Sequence, residues 1–226
     1  HIQACSFVNP RLVPGWADAE KVVESFDAHE DVEYTGLYFN GNGLDRALAF
    51  KDKLTISGSI SLTASEGFTK KNLNRTHAEN MAAMERHVMS HLELGIPVNR
   101  IGVMAAFGCN YQGDISPATV IKTLEDGMQI AAKTGAEITL FSLADTMGWA
   151  APHRIERVVG EVRNVWPDMT ISLHLHDTRG LAIANAYSAL KMGVRQFDST
   201  VGGLGGCPCA GQPKAAGNIC TEELVL

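Results

Sequence analysis

Short β-branched and aromatic runs alternate with longer amphipathic segments along this chain, and no other feature restricts its fold as much. Runs of strand length occupy 1–5, 32–39, 54–62, 100–107, 137–143, 170–176 and 196–200. Helical patterns fall between them at 17–28, 44–50, 76–94, 117–133, 152–165 and 182–191. Strands that alternate with helices build βαβ units, and these predict a parallel sheet. The helix limits have chemical causes. Ser116-Pro117 offers an N-cap followed by a proline whose φ is already helical, and Gly95, Gly135 and Gly193 stand where a helix would stop.

Seven strands spaced at roughly 25–35 residues predict an α/β TIM (β/α)8 barrel from which the first β-strand unit is missing, with an open doubly wound sheet as the competing architecture. Polar groups decide between them. Ser6, Asn40, Ser65, Glu66, Asn110, Asp145, His174, His176 and Asp198 each fall at the end of a predicted strand. A barrel gathers its active site at that face, so the expectation is one catalytic barrel domain over residues 1–226. The chain opens on His1 within an apolar run, so upstream sequence is expected and targeting is not legible from this end.

Composition removes several classes of function. The formal net charge is 19 − 25 = −6 and 45% of residues are hydrophobic, which is too apolar for disorder. There is no basic stripe for a nucleic-acid backbone. No run approaches the roughly 20 apolar residues of a membrane helix. The odd number of cysteines, at 5, 109, 207, 209 and 220, does not read as a disulfide framework. A reducing compartment is expected, the cytoplasm first and the mitochondrial matrix as the alternative.

The sharpest constellation is His174-Leu175-His176-Asp177 at the end of the sixth predicted strand. Residues i and i+2 of a strand share a face, so both imidazoles project together while Leu173 and Leu175 face the other way. Two such rings can share a metal ion; the plainer alternative is a pair of hydrogen-bonded histidines at a strand end. After the last strand comes Val201-Gly-Gly-Leu-Gly-Gly-Cys207-Pro-Cys209, then Ala216-Gly-Asn218. Glycines let such a loop bend tightly and bring a thiol over a ligand. The alternatives are a plain loop or a minor redox pair. His77, His87 and His91 within one helix read as solvated or packing residues, Met81, Met84 and Met89 as core filler, and Cys5 as a buried structural thiol.

Taken together, these motifs resemble the 3-hydroxy-3-methylglutaryl-CoA lyase family, within a barrel superfamily of metal-dependent lyases and Claisen-type synthases. The likeness rests on His174-Leu-His-Asp-Thr-Arg-Gly, Asp198-Ser-Thr-Val-Gly-Gly-Leu-Gly-Gly-Cys-Pro, Ala216-Gly-Asn and Thr221-Glu-Glu-Leu. Ser6-Phe-Val-Asn-Pro, Gly67-Phe-Thr-Lys-Lys-Asn, Gly108-Cys-Asn-Tyr-Gln-Gly-Asp-Ile-Ser-Pro and Asp145-Thr-Met-Gly extend it over the chain.

The resemblance implies His174, His176 and Asn218 as metal ligands, Cys207 as the catalytic cysteine and Asp145 as an active-site acid. It puts Asn40, Glu222 and Gln3 at or near the substrate. Lys70 and Lys71 could meet the phosphates of coenzyme A or form a solvated turn. The implied cofactor is a divalent cation, Mg²⁺ or Mn²⁺ with Zn²⁺ as alternative, because a mixed N/O site of low charge leaves room for substrate oxygens. The implied partner is an acyl-CoA substrate, and the expected assembly is a homo-oligomer. An upstream strand should carry an Arg-Asp pair, the Arg steadying an enolate and the Asp serving as a further ligand; without that pair the chain would be inactive.

Two positions depart from the family pattern. Gln3 stands where Glu is usual, which removes a charge, and Cys209 stands where an aromatic residue is usual. A related acyl-CoA such as citramalyl-CoA is therefore an alternative substrate. A Claisen-type synthase, an amidohydrolase-like metal enzyme and a non-catalytic metal-binding relative are the alternative classes.

Overall fold

The structure is a computed structural model that describes residues 1–205 and 216–226, with the backbone alone at residue 73. It divides into two compact units, His1–Ser57 and Gly58–Leu226.

In the first unit, β1 (Ile2–Ser6) pairs in parallel with β2 (Tyr34–Leu37), and α1 (Ala19–Ser25) and α2 (Gly41–Leu48) complete it. Cys5, Phe7, Ala19, Val23, Ala47 and Leu54 form its core. Gly36 is required by packing, since a Cβ there would lie 2.5 Å from the Phe7 ring. Arg46 forks onto both carboxylate oxygens of Glu20 at 2.5 and 2.9 Å, tying α2 to α1. Burial pushes the Cys5 thiol up to about 11, so it stays protonated and inert, as expected of a structural thiol.

The second unit is built on a five-stranded parallel sheet in the order β3 (Gly58–Thr63), β4 (Val98–Met104), β5 (Leu140–Asp145), β6 (Thr170–Leu175) and β7 (Gln196–Asp198). Strand order follows chain order. A doubly wound sheet would reverse at a switch point, so the TIM-barrel alternative holds and the sheet is part of such a barrel. The helices are α3 (Glu66–Leu73), α4 (His77–Glu93), α5 (Pro117–Thr134), α6 (Pro152–Val165), α7 (Ala182–Lys191) and the short α8 (Thr221–Leu224).

Register separates the two faces of the sheet. Ile60, Ile101, Phe141 and Ile171 align across four strands, as do Leu62, Val103, Leu143 and Leu173. These rows are buried in one cluster with Val120 and Leu124 of α5, Val158 and Val162 of α6 and Ala186 of α7. Each large side chain so buried stabilises by about 1.5–3 kcal/mol. The alternate rows are small or polar: Ser61, Gly102, Ser142 and Ser172 in one, Ala144, His174 and Asp198 in the next. The period of two thus assigns hydrocarbon to the helix side and chemistry to the other.

Local signals explain the helix ends. Ser116 accepts the Thr119 N–H at 3.1 Å, and Gly135 closes α5 with φ +81°. Thr76 and Glu79 form a reciprocal capping box on α4. Several expectations need correction. The strand predicted at 54–62 starts only at Gly58, because Leu54 turns into the core of the first unit. Helix α3 is not predicted by the sequence pattern: among its described side chains only Phe68 and Thr69 are buried, too few for a helical period. Met81 and Met84 pack on the core, but Met89 is exposed. His91 is buried with Nδ1 2.8 Å from the His87 carbonyl, and His77 pairs with Asp126 at 3.0 Å, in keeping with packing roles.

Candidate metal and active site

His174 is the penultimate residue of β6, and His176 follows the strand in an isolated bridge to Asn218. His174 Nδ1 lies 3.0 Å from Asp198 Oδ2, and His176 Nδ1 lies 3.3 Å from the Ala216 carbonyl. A carboxylate and a carbonyl can only accept, so each ring donates from Nδ1, and in its neutral form leaves a lone pair on Nε2. The two Nε2 atoms face one another at 3.2 Å. Adjacent ligands bound at about 2.1 Å around an octahedral ion would themselves stand about 3 Å apart. Among the described residues, Asn218 Oδ1 is buried with no hydrogen-bond partner. Two opposed lone pairs and an orphaned amide oxygen form a donor set that a divalent cation would satisfy. Among the described residues, no three His, Cys, Asp or Glu side chains form a metal-holding group. Burial, and then the neighbouring His174, hold the His176 imidazole below its ordinary pKa, which favours the neutral form a metal requires.

Asp198 also meets a cation that the sequence had not singled out. Arg100 of β4 donates to Ser142 Oγ at 2.6 Å and lies 3.4 Å from the same Asp198 oxygen that holds His174. The available signal was a lone charged residue on the face that the other strands fill with serine and glycine.

Asp145, at the end of β5, is 1% exposed. Its Oδ1 accepts the Trp149 and Ala150 N–H groups at 2.7 and 3.0 Å, while Oδ2 is buried without a partner among the described residues. Burial pushes its carboxyl up to about 6, opposed by those two N–H groups and by the charge of the nearby Arg179 guanidinium. A carboxyl so placed can hold or release a proton near neutrality. Trp149 borders it: the indole donates to Asn110 Oδ1 at 2.7 Å, and the Arg179 guanidinium lies 5.6 Å from the ring centroid. Gly108, with φ +146°, lies under that ring, where a Cβ would come within 2.6 Å of Trp149.

The other predicted residues are dispersed. Glu222 receives the Gly202 N–H on both oxygens, at 3.0 and 2.9 Å, and the Cys220 thiol at 2.8 Å, so it fastens the start of the glycine loop. Lys70 and Lys71 are exposed in the last turn of α3. In the first unit, Asn40 caps α2 by accepting the Gly43 N–H at 2.9 Å, and Gln3 is exposed on β1 opposite Thr35. Cys207 and Cys209 lie outside the described residues. No helix among the described residues is long and apolar enough to cross a membrane.

A sequentially ordered parallel sheet with polar side chains gathered at its strand ends defines a protein of the TIM-barrel class. Residues 19–226 match the family described as HMGL-like, and the chain belongs to that family. It is 34% identical over 225 residues to the hydroxymethylglutaryl-CoA lyase of Bacillus subtilis, covering 100% of this chain and 71% of that protein. It is also 34% identical over 234 residues to the (R)-citramalyl-CoA lyase of Chloroflexus aurantiacus, covering 99% and 70%. The crystal structure of an HMG-CoA lyase from Acinetobacter baumannii, in complex with coenzyme A and 3-methylmalate, superposes with a TM-score of 0.81 at 36% identity, covering 99% of this chain and 69% of that one. The chain is thus a carbon–carbon lyase of this family.

Proposed function

We propose that this lyase cleaves 3-hydroxy-3-methylglutaryl-CoA, or a closely related 3-hydroxyacyl-CoA, to acetyl-CoA and a ketoacid, which is acetoacetate in the first case. The facing Nε2 atoms of His174 and His176, 3.2 Å apart, carry the reading: with the buried amide oxygen of Asn218 they would hold one divalent cation. Bound there, Mg²⁺ or Mn²⁺, with Zn²⁺ as the alternative, supplies Lewis acidity toward the substrate's oxygens.

This chain's own groups handle the protons. The Asp145 carboxylate, whose Oδ2 is buried without a partner among the described residues, takes the proton of the tertiary hydroxyl; His174 is the alternative base only while its Nε2 is free of the cation. The C–O bond then becomes C=O, the C–C bond breaks, and its electron pair passes to the thioester fragment as an enolate. The Cys207 thiol returns a proton to that carbon; its ordinary pKa of about 8.5 lets it donate to an enolate at little cost. Lys70 and Lys71 supply exposed positive charge for the coenzyme A phosphates. Asn40, Gln3 and Glu222 belong to the substrate side, Glu222 acting through the loop stem that it holds at Gly202. Both compact units serve one catalytic domain, in a homo-oligomer located in the cytoplasm or, as the alternative, the mitochondrial matrix.

The similarity to a citramalyl-CoA lyase supports a second substrate, as does Gln3, which removes a charge. Acetyl-CoA release from hydroxymethylglutaryl-CoA and citramalyl-CoA, assayed side by side with metal present, tests the reading. Release from the first at an equal or higher kcat/KM is expected. Preference for citramalyl-CoA would move the assignment to the second substrate, and release from neither would favour a synthase or a non-catalytic relative.

A further inference from the structure

We propose that Arg100 is a positioning residue for the metal centre, acting through Asp198 to aim His174. The inference rests on the metal reading above and extends it to a residue two strands away from the histidine.

The register puts His174 directly beside Asp198 across the β6–β7 pair, on the polar face of the sheet. Asp198 Oδ2 receives the His174 Nδ1–H at 3.0 Å on one side and faces the Arg100 guanidinium at 3.4 Å on the other. Arg100 is itself anchored by its 2.6 Å bond to Ser142 Oγ. A carboxylate on a strand of three residues could rotate about its Cβ–Cγ bond and offer either oxygen; a guanidinium bonded elsewhere removes that freedom. With the acceptor fixed, the imidazole has one orientation in which Nδ1–H is satisfied, and in that orientation Nε2 points at Nε2 of His176. The order Ser142, Arg100, Asp198, His174, His176 is thus a continuous chain of contacts, in which Arg100 touches neither imidazole. Partners that orient a ligand from outside the coordination sphere are commonly worth 10- to 100-fold in metal affinity.

The test compares Mn²⁺ binding by metal-stripped wild-type protein with that of Arg100→Met and Arg100→Lys, together with the His174 tautomer read by ¹⁵N NMR on the metal-free proteins. Arg100→Met is expected to weaken Mn²⁺ binding by roughly 10- to 100-fold and to mix the tautomers of His174, while Arg100→Lys restores most of both. Ser142→Ala, which keeps the charge and removes only the anchor, is expected to weaken binding several-fold and covers the case in which Arg100→Met does not fold. Wild-type affinity and a single His174 tautomer in Arg100→Met and Ser142→Ala would overturn the positioning role alone. Failure of the wild-type protein to bind Mn²⁺ would overturn the metal reading itself and the inference with it.

Discussion

The ring nitrogens of His174 and His176 meet Nε2 to Nε2 at 3.2 Å, each ring having committed Nδ1 to an acceptor behind it. With both rings neutral, two lone pairs oppose one another and neither ring can donate to the other. A cation held between them would relieve that opposition, and would give the Asn218 Oδ1, buried and unpartnered among the described residues, a charge to face.

Asn218 therefore separates binding from folding. Asn218→Ala should reduce Mn²⁺ affinity by roughly tenfold or more. It should leave the unfolding free energy of the metal-free protein near that of wild type, because the oxygen it removes makes no hydrogen bond. Calorimetric titration and urea unfolding measure the two quantities; a large loss of stability with unchanged affinity would make Asn218 a structural residue.

Asp145 predicts a pH signature in stability. Its native carboxyl, near 6, binds a proton more tightly than an ordinary aspartate at 3.8. The stability it contributes is fully present below about pH 4 and is lost as pH rises through about 6. Asp145→Asn lacks this titration, so its unfolding free energy relative to wild type should improve between pH 4 and 6 and then level off. Urea unfolding of both metal-free proteins across that range is the measurement, and a constant difference would contradict the raised value.

Cys207→Ser should slow kcat by about 10²-fold, in the range of a lost general acid, with metal content unchanged. Cys209→Ser should have far less effect. Equal, small losses would make Cys207 a packing residue, and a loss that follows missing metal would make it a support of the site.

Asn40 has a definite structural duty as the cap of α2. Asn40→Ala should destabilise by about 0.5–2 kcal/mol, while Asn40→Asp, which also accepts the Gly43 N–H, should stay near wild type. If Asn40 also contacts the acyl-CoA, Asn40→Asp raises KM without that loss of stability; thermal unfolding and steady-state kinetics of the two variants separate the effects.

What the sequence disclosed and what it hid have physical reasons. The buried rows through Ile101 and Phe141 announce their strands, because hydrocarbon at every second position fits little else. The same period of two put His174 and His176 on one face. Strand ends were overextended, as at 196–200 against Gln196–Asp198, since apolar composition does not mark where pairing stops. Asp198 was visible as a strand-end carboxylate but not as the acceptor for His174, because register between β6 and β7 is a tertiary fact. Arg100 was passed over for the same reason. The pairing of Asn218 with His176 spans 42 positions (218 − 176), and only the family resemblance pointed to it. Glu222, expected at or near the substrate, accepts the Gly202 N–H, a contact between the two ends of the glycine loop that no local pattern encodes.

The most direct test is acetyl-CoA release from hydroxymethylglutaryl-CoA by the metal-stripped protein, before and after Mn²⁺ is returned. No release while the metal is absent, recovery on its return, and no recovery in a His174→Ala/His176→Ala variant are the predicted results. Turnover that persists unchanged in excess chelator would contradict the account.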